Sequence, residues 1–167
     1  MVSLLQSMAL SSSVATWIAI GAARYLILSL LFFFPVLWNR GKQGKHILSE
    51  VVWSGGGALL LTAGISRIVT RLRPFSVEGS GISNLIPEPF NSSFPSSHTS
   101  VSFAIAAILL SFDRSLGTIA FGIAGVIAIG RIAVGVHYPS DIFGGMMIAA
   151  VVFFLVKFMH KQIWKKQ

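Results

Sequence analysis

The chain has 167 residues, of which 54% are hydrophobic and only 11% charged, with a mean hydropathy of +0.78. That balance suits a single domain, residues 1–167, lodged in lipid, and it excludes an ordinary soluble globule. The absence of cysteine removes disulfides, thiolate metal sites and cysteine nucleophiles, and the net charge of +8 is gathered at Arg40, Lys42 and Lys45 and at Lys157, Lys161, Lys165 and Lys166 rather than along an aromatic-studded stripe, so no nucleic acid is expected as a partner.

Residues 1–23 are apolar but interrupted by Gln6 and Ser11-Ser12-Ser13. They begin without the positive segment of a secretory signal, so they are expected in the mature protein, as an interfacial helix or an extra span. Arg24 then falls at a membrane surface, where its stem can snorkel to the headgroups.

Apolar stretches follow over Tyr25–Trp38, Ile47–Val69, His98–Phe112, Leu116–Ile132 and Ile142–Phe158. A full crossing needs about 20 helical residues. His98–Phe112 has only 15, or roughly 22 Å of helix, which sets His98 near the headgroup level. The expected fold is an all-α integral membrane protein, a bundle of five transmembrane helices, or six if residues 1–23 cross. Gly55-Gly56-Gly57 and Gly144-Gly145 are expected to admit close helix packing.

Charge sets the expected topology. Basic residues favour the cytoplasmic side, so loop 39–46, the turn Asp113-Arg114 and the C-terminal tail are placed inside. The loop Thr70–Ser97 and the segment Arg131–Asp141 then lie outside. That outer loop holds Gly79, Gly81, Pro87, Pro89 and several serines and reads as irregular structure.

Three polar islands border the apolar stretches. Arg131, His137 and Asp141 stand at offsets of six and ten. Pro139 breaks helix at the residue before it, and Asp141 opens the next helix as an N-cap. A carboxylate beside a histidine fixes its tautomer and leaves the second ring nitrogen free to attack, although a capping Asp beside an interfacial His is the plainer alternative. Arg131 favours the first, because a buried guanidinium wants an anionic partner and forks well onto phosphate. Pro95-Ser96-Ser97-His98 opens a helix whose N–H groups can bind an anion, while His98 can protonate a leaving oxygen. The run Arg67 to Arg73-Pro74 brings three arginines to one helix end, with Arg73 pinned beside the proline. One of Arg67 or Arg71 reads as a headgroup contact.

These islands resemble the motifs of the type-2 phosphatidic acid phosphatase superfamily. Those motifs are Lys, six residues, Arg-Pro; then Pro-Ser-Gly-His; then Ser-Arg, five residues, His, three residues, Asp. The resemblance covers residues 66–145. It implies His137 as a nucleophile that forms a phospho-histidine, Asp141 as its orienter and His98 as the acid. It also implies Arg73, Arg131 and Ser96 as phosphate holders, with backbone help near Ser97 and His98, and no metal or cofactor. Three positions depart from the pattern: Ser66 replaces the motif lysine, with Arg67 beside it as the candidate substitute, Ser97 replaces the glycine, and Gly130 replaces the serine before Arg131.

Within the superfamily, Arg73-Pro74-Phe75, Leu85-Ile86-Pro87 and Ser93-Phe94-Pro95-Ser96 look most similar to bacterial undecaprenyl diphosphatases. The expected protein is therefore a multi-pass cell-membrane lipid phosphatase with an outward-facing site and a lipid phosphate as partner. Phosphatidic acid, phosphatidylglycerol phosphate and lipid A phosphates remain alternative substrates, and a non-catalytic phospholipid binder or flippase is the alternative outside enzymology. Glu78 and Glu88 read as ordinary loop residues, with gating of entry as the other choice. Glu50 reads as lying near the inner end of its span, His46 and His160 as solvated cytoplasmic residues, and no histidine–carboxylate set shows metal-ligand spacing.

Overall fold

The computed structural model describes residues 1–88 and 92–164, the last two by backbone alone. Pro89, Lys165 and Lys166 lie outside the described residues. In chain order the α-helices are α1 (Val2–Ala9), α2 (Ser13–Ile20), α3 (Phe33–Trp38), α4 (Gly41–Ile68), α5 (Ser97–Phe112), α6 (Arg114–Ala133) and α7 (Pro139–Trp164). Among the described residues there is no strand.

Four helical stretches are long and apolar enough to cross a membrane: Ser13–Trp38, Gly41–Ile68, Arg114–Ala133 and Pro139–Gln162. The first is continuous but irregular, since a π-turn (Gly21–Tyr25) and a 3₁₀ segment (Leu26–Phe32) join α2 to α3. Residues 1–23 therefore divide between the short α1 and the start of this span. Arg24 is exposed, and it neighbours Ala23, whose carbonyl accepts from Arg131.

The short helix is the central one. α5 has 16 residues, about 24 Å, and packs against α4, α6 and α7. Its Ala104, Ala106, Ile108 and Leu109 are fully buried. A helix enclosed by others needs small faces around it. Gly145 supplies one, since a Cβ there would lie 2.9 Å from the Ser96 carbonyl oxygen and 3.0 Å from Thr99 Cβ. The run Gly55-Gly56-Gly57 meets the expectation only at Gly57, where a Cβ would lie 3.2 Å from Val152 Cγ1; one at Gly55 would make ordinary contacts and one at Gly56 would meet nothing within 4 Å. Large apolar side chains such as Trp17, Phe32, Leu60 and Phe154 point outward, as they should in hydrocarbon.

The tight α5–α6 turn is built on Asp113, whose Oδ1 accepts the Ser115 and Leu116 N–H groups at 2.9 and 3.1 Å, a standard N-cap. Its other oxygen lies 3.5 Å from Arg40, tying this end of the bundle to the α3–α4 turn. At the opposite end the long loop 69–96 contains one 3₁₀ turn, Pro74–Ser76. It is clamped to α1, because Gln6 donates to the Ser83 carbonyl (2.7 Å) and accepts its N–H (2.9 Å).

Candidate active site

The segment Arg131–Asp141 folds as helix, turn, helix. Gly135 adopts φ +80, which glycine reaches without a Cβ clash. The turn brings the Val136 N–H back to the Arg131 carbonyl at 3.3 Å. Pro139 then starts α7, where its fixed φ suits the first helical position. Asp141 is not the N-cap expected from the sequence. It is the third residue of α7 and reaches back, its Oδ2 accepting the Tyr138 N–H at 2.8 Å, the carboxylate half of a capping box.

That placement orients His137. Its Nε2 lies 3.2 Å from Arg131 Nη2, and its Nδ1 lies 2.8 Å from the Ser93 carbonyl and 3.5 Å from Asp141 Oδ2. A guanidinium can only donate, so Nε2 is the acceptor and Nδ1 carries the hydrogen. Burial pushes the imidazole below its ordinary value of 6.5; Asp141 opposes this, while Arg131 and Arg73 add to it. The ring is therefore neutral near pH 7, with the Nε2 lone pair turned to the arginines.

Arg73 and Arg131 come from separate elements. Pro74 keeps Arg73 extended (φ −72, ψ 153), and its Nη1 donates to the Val136 carbonyl at 3.1 Å. Arg131, in the last turn of α6, is 1% exposed. Its Nη1 donates to the Ala23 carbonyl at 3.4 Å, and its Nε has no hydrogen-bond partner among the described residues, so the fork keeps a spare donor. Both guanidiniums line a cavity of about 240 Å³ shared with His137, Ser97 and Ser66. A larger groove of about 640 Å³, between α4 and α7, is apolar except for His160 and offers nothing to hold a phosphate.

A third charged group completes the pocket. Glu88 Oε1 lies 2.6 Å from Arg131 Nη2, and Oε2 lies 3.5 Å from Arg73 Nη2. Burial works against its charge, but Arg131 and Arg73 outweigh that and hold the carboxyl below its usual range. Glu88 is thus not the ordinary loop residue that its place between two prolines suggested, but a carboxylate lying on both arginines.

The helix end at residues 66–73 sorts differently from expectation. Arg67 is exposed, whereas Ser66, one position earlier, lines the cavity. Arg71, left undecided by the sequence, is the engaged residue. Its Nη1 donates to Asp141 Oδ1 and Ser140 Oγ, both at 2.7 Å, and its guanidinium stacks over the Tyr138 ring at 4.3 Å. Asp141 is thus fully buried between Arg71 and the Tyr138 N–H.

At the start of α5, Ser97 faces the cavity, while Ser96 is buried and its Oγ accepts from Thr99 at 3.0 Å. The Ser96 N–H donates to the Asp141 carbonyl at 3.1 Å, fastening α5 to α7. His98 is half-buried and does not line the cavity, but the charges of Arg131, Glu88, His137 and Arg73 all act on it. Gly130, where a serine was expected, has a packing reason: a Cβ there would fall 2.9 Å from the Ala23 backbone nitrogen.

The chain as a whole has known relatives. The family model described as the PAP2 superfamily matches residues 50–165. Undecaprenyl-diphosphatase BcrC of Bacillus subtilis is 30% identical over 148 residues, 86% of this chain and 74% of that protein. The putative undecaprenyl-diphosphatase YbjG of Escherichia coli is 29% identical over 80% of this chain and 68% of its own length. A lipid A 1-phosphatase of Rhizobium johnstonii is 37% identical, over 64% of this chain and 43% of its own. Among solved structures, Aquifex aeolicus LpxE superposes with a TM-score of 0.70 at 24% identity, covering 93% of this chain and 91% of that one. A transmembrane PAP2-type phosphatidylglycerolphosphate phosphatase from Bacillus subtilis gives 0.68 at 23% identity, covering 97% and 85%. A multi-pass helical bundle of this shape, matched over most of its length by that model, belongs to the PAP2 superfamily of membrane lipid phosphatases.

Proposed function

We propose that the protein hydrolyses a lipid diphosphate, undecaprenyl diphosphate to undecaprenyl phosphate, through a phospho-histidine on His137. The observation that carries this reading is the placement of the His137 ring, with Nδ1 2.8 Å from the Ser93 carbonyl and Nε2 3.2 Å from Arg131, which favours the Nδ1–H tautomer. Nε2 attacks the terminal phosphorus, and the bond from that phosphorus to the bridging oxygen breaks. His98 gives its proton to the bridging oxygen, which leaves as the lipid monophosphate. Water then attacks the phospho-histidine, His98 takes its proton, and inorganic phosphate departs with the Nε2 lone pair restored. Arg73, Arg131 and the N–H groups opening α5 stabilise charge on the non-bridging oxygens, the main source of catalysis in phosphoryl transfer. Asp141, held by Arg71, keeps the His137 ring in register.

The diphosphate substrate is supported by what two similar proteins are named for. A second reading, a lipid A phosphate monoester, draws on the 37% identity to the lipid A 1-phosphatase over a shorter stretch. The site is proposed to face the extracytoplasmic side of the cell membrane. Support comes from Arg40, Lys42, Lys45, Lys157 and Lys161, which all fall at the other end of the bundle.

Purified protein in detergent, given undecaprenyl diphosphate, phosphatidic acid, phosphatidylglycerol phosphate and lipid A in parallel, should release phosphate fastest from the first. Alkaline quenching with radiolabelled substrate should trap an acid-labile phospho-enzyme that His137→Ala lacks. Lipid binding without phosphate release from any of the four would leave the non-catalytic reading in place.

A further inference from the structure

The end of the bundle away from the phosphate cavity holds a second cluster. His46 and Glu50 are four residues apart in α4 and so share one helix face. His160 comes from the last part of α7, which packs against α4. One ligand atom from each lies within 4.8 Å of the others. Their sequence positions suggested two solvated histidines and one carboxylate near a membrane surface; instead Glu50 is 3% exposed.

An ionised carboxylate this buried needs compensation. Lys157 supplies it from one side, its Nζ donating to Glu50 Oε2 at 2.6 Å. That ion pair leaves the arrangement around Oε1 unexplained. His46 Nε2 and His160 Nδ1 both turn to this oxygen, at 3.5 and 3.6 Å, and the rings stand 4.9 Å apart between centroids. These separations are too long for good hydrogen bonds, and His160 Nδ1 is buried with no hydrogen-bond partner among the described residues. The two distances from Oε1 are close to those within a coordination sphere, and the three ligand atoms as a set lie within 4.8 Å of one another. With bonds of about 2.0–2.1 Å, neighbouring ligands of a tetrahedral ion sit roughly 3.4 Å apart.

We infer that His46, Glu50 and His160 form a binding site for a divalent first-row transition ion, with Zn²⁺ the best fit, which clamps α4 to α7. Two imidazoles and one carboxylate select this class, because Mg²⁺ and Ca²⁺ prefer all-oxygen shells. Lys157 acts behind the ligands, orienting the carboxylate through its second oxygen as outer-shell groups commonly do. A small rotation of His160 closes the set, and water fills the fourth position. The ion takes no part in phosphoryl transfer, because Glu50 lies about 18 Å along α4 from Thr62, which borders the phosphate cavity.

The test uses full-length, tag-free protein in detergent, stripped with EDTA and then titrated with Zn²⁺ or with Co²⁺ as a spectroscopic probe. One ion per chain should bind, Co²⁺ should show the visible absorption of nitrogen–oxygen ligation, and Zn²⁺ should raise the melting temperature by roughly 5 °C or more. His160→Ala and Glu50→Gln should each abolish binding and the shift. Circular dichroism and size exclusion check that each variant is folded, and His46→Ala gives a third, independent test. A folded wild type that binds no ion at micromolar concentration overturns the inference, and the cluster is then only a charge network around Glu50. Unchanged binding in the folded variants overturns it equally, since the ion would then sit elsewhere.

Discussion

The Glu88 carboxylate grips Arg131, with Oε1 2.6 Å from Nη2, while its other oxygen is 3.5 Å from Arg73. A loop residue thus places an anion between the two guanidiniums of the candidate phosphate site. An incoming phosphate must displace it. Glu88→Gln should therefore lower KM and tighten inhibition by inorganic phosphate by roughly 3- to 10-fold, the scale of a partly solvated ion pair, with a smaller change in kcat. Steady-state kinetics with phosphate as competitor measure this, and a raised KM would show that Glu88 helps to hold substrate.

His98 is proposed to protonate the leaving oxygen in the first step, besides taking a proton from water in the second. His98→Ala should cost about 10²- to 10⁴-fold in kcat on a lipid substrate. In the phosphorylation step, read as the rate of leaving-group release in a single turnover, the loss should shrink markedly on an aryl phosphate, whose leaving group needs no proton. The loss in His137→Ala should be the same on both, because it removes the nucleophile. Equal losses for the two variants across both substrates would take the acid role away from His98.

Arg71 holds Asp141 at 2.7 Å and stacks on Tyr138. Removing it frees the carboxylate that positions His137, and misplacement of a reacting group by about 1 Å costs roughly 10²-fold. Arg71→Ala should thus lower kcat by roughly 10- to 100-fold with a smaller effect on KM. Arg71→Lys should recover part of it, keeping the charge but not the fork or the stack. A loss confined to KM would instead place Arg71 on the substrate.

Protonation of His137 would occupy Nε2. Burial lowers its affinity for the proton, aided by Arg131 and Arg73 and opposed by Asp141. The acid limb of kcat/KM should accordingly lie below pH 6.5. Asp141→Asn removes the group that favours the charged ring, so its limb should move to still lower pH as kcat falls. The titration of the substrate is common to both enzymes and cancels in the comparison. A shift to higher pH in the variant would contradict the assignment.

Much of the candidate site was legible in the chain because Arg131, His137 and Asp141 lie within one short segment. Gly135 and Pro139 dictate its local geometry, so the offsets alone announce a helix, a turn and a helix that share a rim. Asp141 was legible as a helix-opening residue, but its position in the third place of α7 was not, since a cap and a residue reaching back to it leave similar sequence traces. Helices α5 and α6 were read to within two residues, whereas α4 begins six residues before its apolar stretch and α7 ends six residues after its own; the first span was read short, because its π-turn and 3₁₀ segment have no apolar signature of their own.

By itself the sequence determined the membrane class, through its hydrophobic content, and marked the candidate reacting groups, through residue types at short range. Tertiary structure alone decided that Arg71 rather than Arg67 meets Asp141, that Glu88 lies on Arg131, and that His160 comes back to His46 and Glu50. Each of these joins residues far apart along the chain. Such contacts depend on the rotational phase of antiparallel helices and on the return path of a loop, neither of which is carried by local periodicity or composition.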